Sequence, residues 1–105
     1  MKTHVDYLTL QTEKRREFMN ITPNCRAAVE KSGIHNGLML VMVLHSNSGV
    51  FLGDDEPGLL ADVEKWLETT APQRDDYQHP KKFESNTGIH LQSIMLGTQV
   101  TLSVN

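Results

Sequence analysis

The feature that most constrains the fold is an uninterrupted run of apolar side chains over residues 38–44. Because no position of this run offers a polar side chain to solvent, the pattern predicts a central strand that is buried on both faces. The run is also far too short to cross a lipid bilayer. It ends abruptly in the polar segment 45–49. The sequence therefore predicts a buried strand with a polar loop at its end.

Two helices are predicted from their end signals. The first is expected to begin at residues 22–23, Thr-Pro, and to end at Gly33, since proline fits a first helical turn and glycine tolerates the left-handed cap conformation. The second is expected to begin within the acidic stretch 54–58 and to end at Pro72. Its apolar stripe has helical spacing and includes Trp66, which is predicted to lie in the core.

The strands are predicted from alternating or short apolar segments. They are expected over residues 5–12, 16–21, 50–52, 89–96 and 99–104, in addition to the central strand. The first two are expected to form a hairpin, and residues 73–87 read as a long polar loop. The order of elements predicts an α+β fold with an antiparallel β-sheet or β-sandwich, built as a single domain over residues 1–105.

Composition argues against several classes of partner. The net charge is -3, and the two basic clusters, 14–16 and 81–82, are short, so no nucleic-acid partner is expected. Residues 1–6 lack the apolar core of a signal peptide, and no membrane segment is expected. The single cysteine, Cys25, is predicted to be a packed structural thiol in a reducing compartment. The prediction is a cytoplasmic protein.

Three histidines occur where strand ends or the polar loop are predicted: His45, His79 and His90. Taken singly, a histidine is more often a hydrogen-bonded structural residue than a functional one. The chain has no local His-Glu-x-x-His spacing, so a metal site would have to be assembled by the fold.

Several motifs occur in the order found in one known family. They are the run from Gly37 to His45, the acidic helix start over residues 54–63, Tyr77-x-His79, Asn86-x-x-x-His90-Leu91, and Leu96-Gly97 before an alternating strand. On these residues the chain resembles the YjbQ-like family, and the resemblance spans essentially the whole sequence.

The resemblance implies a YjbQ-like antiparallel β-sandwich with two helices that assembles as a homotrimer. The family label, secondary thiamine-phosphate synthase, implies a small phosphorylated molecule as ligand. The resemblance also implies a polar pocket that holds a divalent metal such as zinc or magnesium. Carried over to this sequence, the catalytic and metal-binding residues are His45, His79 and His90. The implied ligand-binding residues are Ser46, Asn47, Asp54 and Asn86, with Asp62 as a supporting polar group.

The chain departs from the family pattern in several places. The family's His-Thr-Thr reads His45-Ser46-Asn47, its Asn-Glu reads Gly53-Asp54, and Gly88 stands at a position where the family has a polar residue. The family's closing region, with a basic Asp-Gly-Pro-Arg stretch, is absent from this sequence. We therefore expect a member that is truncated at the C-terminus.

Two functions follow as expectations. One is an enzyme that transfers a pyrimidine onto a thiazole phosphate to give thiamine phosphate, with cationic or metal stabilisation of the departing diphosphate. The same three histidines would also suit a metal-assisted hydrolase. The alternative is a non-catalytic oligomer that binds a small ligand or an anion in the remaining pocket. The sequence leaves these alternatives open.

Overall fold

The computed structural model describes residues 1–79 and 87–105, and it shows an α+β fold. Three helices and a two-stranded antiparallel sheet form in these residues. In chain order the elements are α1 (Thr22–Ser32), β1 (Gly37–Met42), α2 (Pro57–Thr70), α3 (Thr87–Leu96) and β2 (Gln99–Val104). The predicted α+β class is confirmed, whereas the β-sandwich stays a prediction.

The chain divides into two compact units. The first contains Met1–Met39 and Leu102–Asn105, so it includes α1. The second, Leu40–Thr101, contains α2 and α3, and it also carries all of the predicted site residues that the structure describes.

Helix α1 has the predicted bounds. Gly33 follows it with φ of 70°, the left-handed conformation that glycine adopts without strain. At the other end, proline occupies the first turn as expected. The residue before the helix is Ile21, whose side chain makes no capping hydrogen bond, and the Thr22 N–H donates to the Asn20 side chain at 3.0 Å.

Helix α2 also begins and ends as predicted. The Glu56 carboxylate accepts the N–H of Gly58 at 2.8 Å and of Leu59 at 2.6 Å, which satisfies two free donors of the first turn. These two hydrogen bonds hold the pKa of Glu56 below its ordinary value. The core position on this helix is Leu67, which is 1% exposed. Trp66 is 49% exposed, so its predicted core role is wrong.

The segment 89–96 is helical, and its prediction as a strand is wrong. It belongs to α3, whose buried residues are Gly88, Gln92 and Ser93. These positions recur at helical rather than alternating spacing. A short apolar segment does not distinguish a strand from a helix by its pattern alone. In α3 the buried face is small and polar, so the apolar residues gave a misleading signal.

Strand β1 lies where the apolar run predicted a strand, but the prediction that it is buried on both faces is wrong. Alternate side chains of the run are exposed, and they form what we call the β1 apolar face: Leu38 at 79%, Leu40 at 57%, Met42 at 51% and Leu44 at 79%. In the described residues the only strand that pairs with β1 is β2. The β1 apolar face is therefore without a covering layer among the described residues.

The remaining predicted strands, 5–12, 16–21 and 50–52, are not strands in the structure. Isolated hairpins are marginally stable, because a strand needs a neighbour to pair its backbone groups. The first segment instead makes local contacts: the Tyr7 N–H donates to the Asp6 carboxylate at 3.0 Å. Lys31 Nζ on α1 lies 3.9 Å from the same carboxylate. No helix among the described residues is long and apolar enough to cross a membrane.

Candidate functional site

The loop that follows β1, residues 45–49, is folded back on itself. The Ser48 N–H donates to the His45 carbonyl at 3.2 Å, which closes a tight turn. The Asn47 N–H donates to Nδ1 of the His45 ring at 3.0 Å. Just before the loop, the Val43 N–H donates to the Thr98 carbonyl at 2.9 Å. The predicted polar loop therefore forms at the end of β1 and has a defined conformation.

Helix α3 holds this loop through side chains on one of its faces. Nδ1 of His90 lies 3.2 Å from the Ser46 carbonyl oxygen. One turn further along α3, the Ser93 hydroxyl donates to the Ser48 carbonyl. The loop thus has two carbonyl groups fixed by α3, and His90 is one of the two residues that fix them.

Gly49 lies where the loop comes closest to the end of α3. A Cβ atom at this position would lie 2.9 Å from Cβ of Leu96 and 3.0 Å from the Gly97 carbonyl oxygen. The first distance is shorter than real Cβ contacts and the second is unusually tight, so this close approach favours glycine. The next residue, Val50, donates its N–H to the same Gly97 carbonyl at 3.0 Å.

The first turn of α3 packs closely on the chain that follows α2. Gly88 is buried, and its N–H donates to Oε1 of Gln73 at 3.2 Å. A Cβ atom there would lie 2.9 Å from the Pro72 carbonyl oxygen. The departure from the family pattern at Gly88 therefore has a steric reason in this chain.

Gln92 connects α3 to the end of α2. Its side chain is buried, and its Nε2 donates to the Ala71 carbonyl at 2.9 Å and reaches the Leu67 carbonyl at 3.4 Å. Carbonyl groups at a helix end lack partners within the helix, so this amide satisfies an acceptor that would otherwise be buried and unpaired. Since Gln92 and His90 are on the same helix, this contact helps to fix where His90 lies.

His79 lies beside His90. The two ring centroids are 5.4 Å apart, and the rings are perpendicular within 2° (88°). Before His79, the Tyr77 hydroxyl donates to the Pro72 carbonyl, and the Arg74 guanidinium lies 5.7 Å from the centre of the Tyr77 ring. Arg74 also pairs with the Asp76 carboxylate, which raises the pKa of the guanidinium. These contacts give the chain leading to His79 a defined local structure.

The structure brings together some of the predicted site residues. His79 and His90 are neighbours, while His45, Ser46 and Asn47 belong to the loop that His90 contacts. Asp54 and Asp62 are exposed, and within residues 1–79 and 87–105 neither has a hydrogen bond to a histidine. The predicted ligand residue Asn86 lies outside the described residues.

The three histidines do not fit a metal centre in this arrangement. Residues 1–79 and 87–105 contain no group of three histidine, cysteine, aspartate or glutamate side chains that could hold a metal ion. Metal-binding imidazole uses a ring lone pair, and the Nδ1 lone pair of His45 already accepts the Asn47 N–H. Within the described chain, His79 and His90 therefore lack a third ligand.

Two residues of the site were not predicted from the sequence: Gln92 and Ser93. Both are polar residues inside a segment that read as an apolar strand. Their separation by four and five residues from Gly88 is a helical signal, and it would have indicated a polar buried face.

Comparison with known proteins gives the family. The family model described as "UPF0047 protein YjbQ-like" matches residues 6–105. The chain belongs to the YjbQ-like UPF0047 family. The resemblance predicted from the motifs is thereby confirmed. A UPF0047 protein of Methanothermobacter thermautotrophicus is 36% identical over 104 residues, which cover 99% of this chain and 72% of that protein. A UPF0047 protein of Archaeoglobus fulgidus is 34% identical, covering 92% of this chain and 74% of that protein.

Solved structures of the family share the fold. A YbjQ-like protein of unknown function from Sulfolobus solfataricus superposes with a TM-score of 0.85 at 28% identity, covering 91% of this chain and 69% of the other. An uncharacterized family protein from Clostridium acetobutylicum gives a TM-score of 0.82 at 25% identity, with 91% and 73% coverage. The names of these relatives assign the family no activity.

Proposed function

We propose that the protein binds a small phosphorylated molecule between the loop 45–49 and the His79–His90 pair. The single observation that carries the proposal is the contact of His90 with the Ser46 carbonyl, which holds an imidazole of α3 against this loop. A second imidazole, His79, lies beside it. An imidazole ring can present an N–H donor or a lone pair, and these match the oxygens and the O–H groups of a phosphate group.

The surroundings of His90 suit an anion. The ring has a backbone partner at Nδ1 and the His79 ring beside it. Asp54 and Asp62 are exposed, and neither has a hydrogen bond to an imidazole among the described residues. An anion bound against these rings would therefore meet no repulsion from these two carboxylates.

The catalytic form of the proposal is transfer of a pyrimidine onto a thiazole phosphate, giving thiamine phosphate, with His45, His79 and His90 at the reacting groups. Its support is the resemblance of the sequence motifs, which implies this label, whereas the matched family model names no activity. Hydrogen bonds from fixed donors would stabilise the negative charge of the departing diphosphate. The metal-assisted alternatives remain proposals that need a third ligand from elsewhere.

The binding proposal is tested by calorimetric titration with thiamine phosphate and with thiamine, which lacks the phosphate. We expect thiamine phosphate to bind and thiamine to bind at least about tenfold more weakly, the effect of losing roughly one charge-assisted hydrogen bond. His90→Ala should abolish this preference. His35→Ala is the matched control, because His35 is exposed and lies outside the site. Equal binding of the two ligands would refute the proposal.

The catalytic form and the metal are tested separately on the purified protein. Formation of thiamine phosphate from the two precursors, lost in His90→Ala, would support an enzyme. Metal analysis of both proteins shows whether a divalent metal such as zinc or magnesium is bound through His90. Ligand binding without turnover would identify a binding protein rather than an enzyme.

We also propose that the protein is a homotrimer in which a β-sandwich forms. The exposed β1 apolar face supports this, because contiguous apolar surface commonly marks an interface. Sedimentation equilibrium should give three times the mass of the chain. A monomer at all concentrations would contradict this proposal.

A cytoplasmic location is proposed as well. It is supported by the free thiol of Cys25, which suits a reducing compartment. Cell fractionation with antibodies to the protein tests it, and recovery in a secreted fraction would contradict it.

A further inference from the structure

The two nitrogens of the His45 ring have different partners, and this fixes where the ring carries its proton. A backbone N–H can only donate, so the Nδ1 atom that faces the Asn47 N–H at 3.0 Å must present a lone pair. In the neutral ring the proton is then on Nε2. His45 therefore offers an N–H donor at Nε2.

In the contact of His90 the ring nitrogen is the donor instead of the acceptor. A carbonyl oxygen can only accept, so the Nδ1 atom that lies 3.2 Å from the Ser46 carbonyl must carry the proton. In the neutral ring Nε2 then keeps its lone pair. Free histidine prefers the proton on Nε2, so the His90 arrangement is the one that the fold must impose. His90 therefore offers an acceptor at Nε2.

We infer that His45 and His90 are held in opposite tautomers and act as a donor and an acceptor toward one ligand. Both tautomers are set by the backbone of residues 46–47, so one loop conformation fixes the two rings. The tautomers are inferred independently of the proposed function, whereas the identity of the ligand rests on it. The ligand that matches carries an oxyanion oxygen, which accepts from His45, and an O–H group, which donates to His90.

In this tautomer His45 does not suit a metal ion. A metal needs a ring lone pair, and in this tautomer the single lone pair of His45 is engaged by the Asn47 N–H. His90 retains a lone pair at Nε2, but it is matched to an O–H donor in the ligand. The donor and acceptor pair thus selects a protonated oxyanion, such as a hydrogen phosphate group, over a fully deprotonated one.

The tautomers are tested first, without any ligand. Long-range proton–nitrogen spectra of 15N-labelled protein distinguish a protonated ring nitrogen from an unprotonated one at a pH where the rings are neutral. We expect the proton on Nε2 in His45 and on Nδ1 in His90. The same tautomer in both rings overturns the inference, whatever the protein binds. Opposite tautomers together with no phosphate binding would support the tautomer assignment but refute both the ligand part of the inference and the proposed function.

The ligand class is tested with inorganic phosphate and sulfate. At mildly alkaline pH inorganic phosphate keeps an O–H group, whereas sulfate has none and is otherwise similar in size and charge. We expect phosphate to bind about tenfold more tightly than sulfate, the effect of one hydrogen bond. Equal binding of the two anions would overturn the acceptor role of His90.

Two asparagine variants separate the ring nitrogens. In His90→Asn the side-chain amide can still donate to the Ser46 carbonyl, but the Nε2 lone pair is gone, so the preference for phosphate should disappear. In His45→Asn the amide oxygen can still accept the Asn47 N–H, but the Nε2–H donor is gone. The affinities for phosphate and for sulfate should therefore fall by a similar factor. His35→Asn is the control and should change neither. A phosphate preference that survives His90→Asn contradicts the inference.

Discussion

Helix α3 and strand β1 relate polarity to burial in opposite ways. The buried residues of α3 are Gly88, Gln92 and Ser93, all small or polar. Strand β1 is apolar at most positions, yet side chains such as Leu38 and Leu40 are mainly exposed. Each buried polar group of α3 has a hydrogen-bond partner, which is what makes its burial tolerable.

The contrast shows which element has its packing partners within the described residues and which does not. Helix α3 meets its partners there: the loop 45–49 and the end of α2. The β1 apolar face has no covering layer in the described residues. Exposed apolar surface gains stability only when another surface removes it from water. The candidate site is thus built on α3 and the segments that pack against it. Assembly with further copies of the chain is expected to occur through the β1 apolar face.

The largest expected effect is in the core of the α2–α3 region. Leu67→Ala removes a side chain that is 1% exposed and should lower the free energy of unfolding by about 2–5 kcal/mol. Leu38→Ala, at 79% exposure, should change it by no more than about 0.5 kcal/mol in a monomer. Urea unfolding measures both. The comparison is made at a concentration at which sedimentation shows a monomer, because assembly would cover the β1 apolar face. A comparable loss in monomeric Leu38→Ala would break the contrast.

The next effect tests the close packing of α3. In Gly88→Ala the new methyl group would meet the backbone of Pro72 and Gln73 at 2.9 and 3.0 Å, so we expect a loss of about 1–3 kcal/mol. Gly53→Ala is the matched control, because its nearest neighbour would be at the ordinary distance of 3.4 Å. Thermal unfolding of the two variants gives the comparison. Equal stability would mean that α3 does not pack closely against the backbone of Pro72 and Gln73.

A smaller effect is expected from the buried amide of α3. Gln92→Leu leaves the Ala71 carbonyl without its side-chain donor and should destabilise the protein by about 1–2 kcal/mol. Gln99→Leu, at an exposed position of β2, serves as the control and should have little effect. A stabilised Gln92→Leu protein would show that apolar packing, rather than the hydrogen bond, holds α3 in place.

The smallest effect concerns the first turn of α2 and depends on pH. The pKa of Glu56 is lowered in the folded state, so its contribution to stability is complete above its ordinary value of 4.5 and is lost as the pH falls through the lowered value. Glu56→Gln should therefore be less stable than the unaltered protein at neutral pH. The two should converge in acid, as thermal unfolding across this range would show. A difference that grows in acid would contradict the capping role.

The helices that could be predicted from the sequence have local causes. The ends of α1 and α2 depend on proline, glycine and an acidic cap within a few residues, so their bounds followed from the chain alone. The run 38–44 predicted a strand correctly, but its burial depends on what packs against it, which no local pattern contains. Helix α3 was missed because its burial pattern is polar.

The candidate site could be predicted only in part for the same reason. A polar loop at the end of a strand, with His45 in it, was evident from the sequence. The contacts that hold it join residues about 45 positions apart, as between Ser48 and Ser93. Such pairs come from the fold, so the sequence could nominate His90 through the family motif but could not assign its partner.

The central claim is that the loop 45–49 and the His79–His90 pair form one ligand site. Backbone amide spectra of 15N-labelled protein, recorded during titration with thiamine phosphate, test it directly. We expect saturable shifts in the loop 45–49, at His79 and in the part of α3 around His90, with little change in α1. Shifts that leave this group unchanged, or no shifts at all, would contradict it.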